Sequence, residues 1–218
     1  QKPTQPLELA SRAWFNPNLE SRYYYVPGVI ALIVMLITLM LSSMAVVREK
    51  EIGTIEQIMV TPITRTEFIL GKTVPFAIIG FVDVIIISVI AVFWFSVPLE
   101  GNLLLLLVGN GLYLMSTLGL GLLISTVSKT QQQAMMSAFF VYFPAVLLSG
   151  FMFPIANMPT VIQWFTYANP LRYFLVIIRG IFLKGIGPEF LWPQMAALAG
   201  LGFLLLGLAV SRFQKTIS

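Results

Sequence analysis

The chain has 218 residues, 58% hydrophobic and only 10% charged, with a mean hydropathy of +0.90. A soluble domain is roughly a quarter charged, and a chain of this size has too little interior for so much apolar surface, so the bilayer is the better solvent. Cys and His are both absent, which removes disulfides, thiol nucleophiles, the usual zinc sites and His bases; the net charge of +4 is scattered rather than clustered, against nucleic-acid binding.

Residues 1–24 contain no long apolar run and cannot serve as a signal peptide; with Gln1 at the start, a further N-terminal portion is expected. Five apolar runs follow, each near the 20 residues a spanning helix needs. Val26–Val47 has 22 residues and no charge, Val74–Val97 has 24 with Asp83 inside it, and Leu103–Val127 has 25 uncharged. Ala134–Phe153 and Leu191–Val210 have 20 uncharged residues each. The expected fold is therefore an all-α membrane protein with five transmembrane helices, residues 25–218 forming one transmembrane domain.

Pro154–Lys184 differs. It is apolar but broken by Pro154, Pro159 and Pro170, and it carries Arg172, Arg179 and Lys184. Non-helical backbone at membrane depth needs cover from protein or water. Short helices that dip into one leaflet and return fit this stretch, as does an amphipathic helix on the surface. Lys and Arg counts differ little between the two sides, seven against six. The short loops favour placing residues 48–73 and the C-terminus in the cytoplasm, because Lys129 lies there and only Glu100 opposite.

The 48–73 loop holds two capping boxes, Thr54 with Gln57 and Thr64 with Glu67, separated by Pro62. Ile55, Ile58 and Met59 share one face of a stub helix of about two turns, with Glu56 turned away and Gly53 permitting a sharp turn into it. The loop's charges balance, four basic against Glu49, Glu51, Glu56 and Glu67, unlike a lipid-binding segment. Docking into a groove of another protein and lying on the membrane both remain open for such a stub.

The string REKEIGTIEQIMVTPI, from Arg48 to Ile63, resembles the signature of second-type (ABC-2) ATP-binding-cassette export permeases. LLSGFMFPIANMP (147–159) and NPLRYFLVIIRGIFLKG (169–185) resemble that family's outer-leaflet re-entrant region, and FNPNLESRYYYVPG (15–28) the end of the extracytoplasmic segment in drug-export-like members. The family normally has six spans, so the resemblance implies a C-terminal part lacking the first span, with residues 1–24 as the end of the extracytoplasmic segment. It also implies that Arg48, Glu49, Lys50, Glu51, Gly53, Thr54, Ile55, Glu56, Ile58, Met59 and Pro62 couple to a separate ATPase subunit. Pro154, Asn157, Pro159, Asn169, Pro170, Arg172 and Arg179 fall in the re-entrant region.

On this reading the chain is a non-enzymatic permease subunit of an ATP-driven exporter in the bacterial inner membrane. It would move apolar or drug-like molecules, with ATP and Mg held by a partner ATPase, no cofactor or metal of its own, and a second identical or paralogous permease beside it. Leu70-Gly71-Lys72-Thr73 echoes a phosphate-binding loop, but Thr66 stands where that pattern requires glycine. Asp83 is either a pathway or proton contact, or a packing or protonated acid. A proton-coupled transporter built around it is the rival function. Thr117, Gly121 and Ser125, like Ala196 and Gly200, repeat at four-residue spacing and predict close helix packing, within the subunit by default or else at a dimer contact.

Overall fold

A computed structural model describes residues 20–54 and 64–217, the side chains of residue 65 and of 213–217 excepted. Among these residues the ordered elements are helices: α1 Ser21–Met44, α2 Val47–Ile52, α3 Arg65–Phe93, α4 Leu103–Val127, α5 Gln131–Leu147, α6 Thr160–Thr166, α7 Pro170–Lys184 and α8 Pro188–Ile217, with a 3-10 turn at Ile155–Asn157. The protein is an all-α membrane protein. Four helical stretches are long and apolar enough to cross a membrane: Ser21–Ile52, Thr66–Phe93, Leu103–Val127 and Pro188–Arg212.

The bundle has two chemically distinct ends. At one, Val46 and Val47 bond to Ser125, and Gln131 bonds to Glu51, so the end of α1, α2, the end of α4 and the start of α5 meet. At the other, the Arg22 side chain donates to the Phe95 carbonyl, Tyr24 to the Gly150 carbonyl, and the Glu100 amide to the Phe182 carbonyl. The start of α1, the α3–α4 loop, the turn after α5 and the end of α7 therefore share that end.

The fourth apolar run yields a shorter helix than expected. α5 has 17 residues and stops six residues before Phe153. Gly150 turns the chain at φ 82° and Ser149 Oγ accepts the Phe151 amide, so apolar side chains continue past the helix into a turn. At about 26 Å, α5 sits at the lower limit for a span. Other boundaries move as well. α3 starts at Arg65, nine residues before its apolar run, and α8 continues through Arg212 to Ile217. α1 takes in Ser21–Tyr24, four residues that the sequence assigned to the preceding segment.

Lipid tails are as apolar as leucine, so helix association in a bilayer depends on close contact and polar bonds rather than on leaving water. α4 supplies both and packs most extensively, on α8 and α1. Thr38 donates to Thr117 at 3.1 Å, and Gly121 lies against the Ser42 side chain and the Leu39 carbonyl. A Cβ there would overlap Ser42 outright. Thr117, Gly121 and Ser125 thus form the α1–α4 seam. The second small-residue repeat faces elsewhere: Ala196 and Gly200 are exposed. The α4–α8 contact uses a different register, with a Cβ on Gly202 falling 2.9 Å from Met115 and one on Gly119 falling 3.0 Å from Leu205.

α7 is a wedge between these helices. Leu171, Phe174, Leu175, Ile177, Ile178, Ile181 and Phe182 are buried, and Phe174 stacks on Tyr113 at 4.2 Å with the rings nearly parallel. Tyr113 reaches through the core to donate to the Ala31 carbonyl at 3.1 Å. The longer helix in residues 154–184 is thus packed against α1, α4 and α8.

Candidate functional site

α1 ends at Met44 and its cap Ala45, whose amide still bonds back to the Ser42 carbonyl; the two amides after that find a partner on another helix. Val46 N and Val47 N both donate to Ser125 Oγ, at 2.9 and 3.0 Å. A helix start leaves orphan amides that must be satisfied when buried, and here a serine from α4 does so. α2 then carries the charged string. Its helix was not visible in the sequence, because six residues offer no apolar period.

Three of the four charges of α2 each reach a different helix. Glu49 pairs with Lys72 of α3 and accepts from the Thr54 hydroxyl. Lys50 Nζ donates to the Thr126 carbonyl at 2.9 Å, placing a cation at the C-terminus of α4. Glu51 accepts from the Gln131 amide at 3.0 Å and from its side chain at 2.9 Å, placing a carboxylate at the N-terminus of α5. Both charges match the sign of the helix end they touch. Arg48 is exposed. Gly53 closes α2 at φ 82°, a conformation other residues rarely adopt. Across the loop, Thr64 and Glu67 form the expected capping box at the start of α3.

The arrangement is a polar hub. It holds α3, the end of α4 and the start of α5 through side-chain bonds to one short helix that is covalently joined to α1. Ile55, Glu56, Ile58, Met59 and Pro62 lie outside the described residues. Lys72, Ser125, Thr126 and Gln131 complete the hub and were missed as partners. Ser125 left a trace in the sequence through its place in the small-residue repeat, and Lys72 as one of the loop's basic residues, but neither pairing was legible. Among the described residues, no three His, Cys, Asp or Glu side chains converge to hold a metal ion.

Asp83 stands apart from the hub, on α3. Its Oδ2 is buried without a hydrogen-bond partner, so the packing bond one reading supposed is not made by that oxygen. Three residues earlier on α3, the Gly80 carbonyl accepts from Asn110 Nδ2 at 3.4 Å.

In the proline-rich stretch, Pro154 precedes the 3-10 turn that Asn157 closes, and Pro159 precedes α6. Asn169 caps α7 by accepting the Leu171 amide at 3.1 Å, with Pro170 as the first helical residue. Its Nδ2 donates to the Ala145 carbonyl at 2.7 Å, tying α7 to the end of α5. Arg172 bonds to Thr166 and stacks 4.0 Å over Tyr167. Arg179 stacks 3.8 Å over Tyr24.

The fold and this charged hub define a polytopic helical membrane protein with a tethered loop helix. The sequence profile of the ABC-2 type transporter family matches residues 9–183, and the chain belongs to that family. It is 38% identical over 203 residues to the probable multidrug ABC transporter permease YbhS of Escherichia coli, covering 93% of this chain and 54% of that protein. It is 37% identical over 188 residues to the probable multidrug ABC transporter permease YbhR of the same organism, covering 86% and 51%. With the inner membrane transport permease YhhJ it shares 31% identity over 222 residues, covering 98% and 58%. The chain thus spans about half the length of the curated relatives it matches.

Proposed function

We propose that this chain is the transmembrane part of a permease subunit in an ATP-driven exporter, with the α2 end of the bundle in the cytoplasm. On this reading α5 is a fifth, short crossing and α7 sits in the outer leaflet. Two permease subunits form the pathway, and ATP with Mg is handled by ATPase subunits docked below. The carrying observation is the hub: the loop that leads into Ile55–Pro62 is bonded at its base to α3, α4 and α5 as well as covalently joined to α1. A push on that loop would reach four helices at once. Multidrug permeases among the relatives support an apolar, drug-like cargo.

Replacing Ile58 and Met59 together by Asp tests the docking. Unpaired charge in an apolar groove costs several kcal/mol, so the variant should reach the membrane but lose its ATPase subunit on purification, and export with it. Glu56→Lys, at the rim, should keep the subunit and weaken only substrate-stimulated hydrolysis. Retention of the ATPase and normal export by the double variant would reduce the stub to a surface helix. The unpartnered Asp83 oxygen supports the proton-coupled alternative. Asp83→Asn separates the two: an ATP-driven exporter should keep much of its transport, whereas a proton-coupled one should lose its response to a pH gradient.

A further inference from the structure

Arg179 occupies an unusual position on α7. Its helical neighbours Ile178, Gly180 and Ile181 are buried, and its guanidinium carbon lies 3.8 Å above the Tyr24 ring and 5.9 Å from the Phe151 ring. Nε and Nη2 are both buried without a hydrogen-bond partner. Those two groups form one edge of the guanidinium fork, the edge that grips two oxygens of a carboxylate or phosphate side by side. No carboxylate among the described residues pairs with it; Glu20 pairs with Arg22, and Glu49 with Lys72. An arginine does not shed its charge when buried, so an empty, aligned edge calls for an anion.

A second observation shows what closes that edge. Gly28 of α1 faces it: a Cβ there would fall 3.3 Å from Nη2 and would collide with the Phe151 ring. Glycine leaves a recess in α1 beside the edge, and the Phe151 ring fills it, so that movement of this one side chain is what would free the edge. The surrounding surface identifies the anion. Tyr24, Tyr25, Met152, Phe153, Trp164, Tyr167 and Val176 are exposed around this end of the bundle, a belt of rings and apolar side chains suited to the bilayer interface. A small hydrated anion would have to shed water for one cation in apolar surroundings, whereas a lipid phosphate already sits at that depth with acyl chains to cover the exposed side chains.

We infer that the Nε–Nη2 edge of Arg179, in the recess at Gly28, binds the phosphate of a phospholipid headgroup when Phe151 swings aside. The site is independent of ATPase docking and of which substrate is moved.

Native mass spectrometry of the full-length permease in a neutral maltoside detergent tests it. The probes are dioleoyl phosphatidylglycerol, a phosphate-free glycolipid with the same chains, and inorganic phosphate. The wild-type protein should hold one phosphatidylglycerol after other lipids are stripped, and the glycolipid should not replace it. Arg179→Gln should weaken that binding about tenfold to a hundredfold, the scale of hydrogen bonds to a charged group. Arg179→Lys, a point charge without the fork, should fall between. Equal phosphatidylglycerol retention by Arg179→Gln would overturn the site, as would equal binding of the glycolipid. Binding of inorganic phosphate as tight as that of the lipid would make the ligand free phosphate and end the lipid assignment. If the Gln variant fails to fold, an unchanged affinity in Arg179→Lys overturns the inference instead.

Discussion

The two ends of the bundle are held together by different physics. At the α2 end, side chains bond to backbone groups of neighbouring helices: Ser125 to two amides, Lys50 to a carbonyl, Glu51 to an amide. At the α7 end, rings and aliphatic side chains interlock, with Phe174 on Tyr113 and guanidinium groups laid over tyrosines. Hydrogen bonds of the first kind can break and re-form singly without opening a cavity. A packed wedge cannot shift without leaving a void or a clash. On these contacts the α2 end would yield bond by bond, whereas the α7 end, which has hydrogen bonds of its own, is backed by a packed wedge.

The comparison can be broken most severely at Phe174. Phe174→Ala would remove a fully buried ring between α7 and Tyr113 and should cost about 3–5 kcal/mol. The expected outcome is a large drop in thermal unfolding temperature of the purified permease; a drop no larger than that of a surface variant would show that α7 is not a fixed wedge. Ser125→Ala comes next. It strands two buried amides, at about 1–3 kcal/mol for an unsatisfied group, without opening a sizeable cavity. Thermal unfolding should fall less than for Phe174→Ala, and Ser125→Thr should restore much of the loss if the added methyl is accommodated. The smallest effect sharpens the contrast. In a double-mutant cycle on Glu51→Ala and Gln131→Ala, the coupling should be about 0.5–1.5 kcal/mol in stability. The same variants should lower transport more than that energy suggests. Additive stability effects together with unchanged transport would remove Glu51 from the hub.

Much of this architecture was legible from spacing. The apolar runs located the long helices, and the Thr117, Gly121 and Ser125 repeat located the α1–α4 seam. Ala196 and Gly200 take no part in packing among the described residues, because small residues mark only where a close approach is sterically open, and the α4–α8 register runs instead through the Gly202–Met115 and Gly119–Leu205 contacts. Helix ends were the weaker part. Apolarity draws boundaries at the edge of lipid and so placed the span at Val74, whereas the start of α3 itself was legible in the Thr64–Glu67 capping box, in the charged loop. The hub itself was half-read. Its acidic and basic residues stood out, whereas the Glu51–Gln131 bond joins residues 80 apart with no pattern linking them. The Arg179 recess was visible only as a charge in an apolar helix, since its meaning depends on a glycine in another helix.

The joint at Ala45–Val46 has a mechanical consequence. A continuous helix from Ser21 to Ile52 would transmit tension from the loop along one rod, and α1 alone would carry the load. With two amides of the joint anchored on Ser125, and Lys50 on Thr126 just beyond, tension is divided between the covalent chain and α4. Because α4 and α1 touch backbone to side chain at Gly121, the two load-bearing paths converge again within one turn of α4. A pull on the loop would therefore load α1 and α4 together as a single beam, rather than the first helix alone.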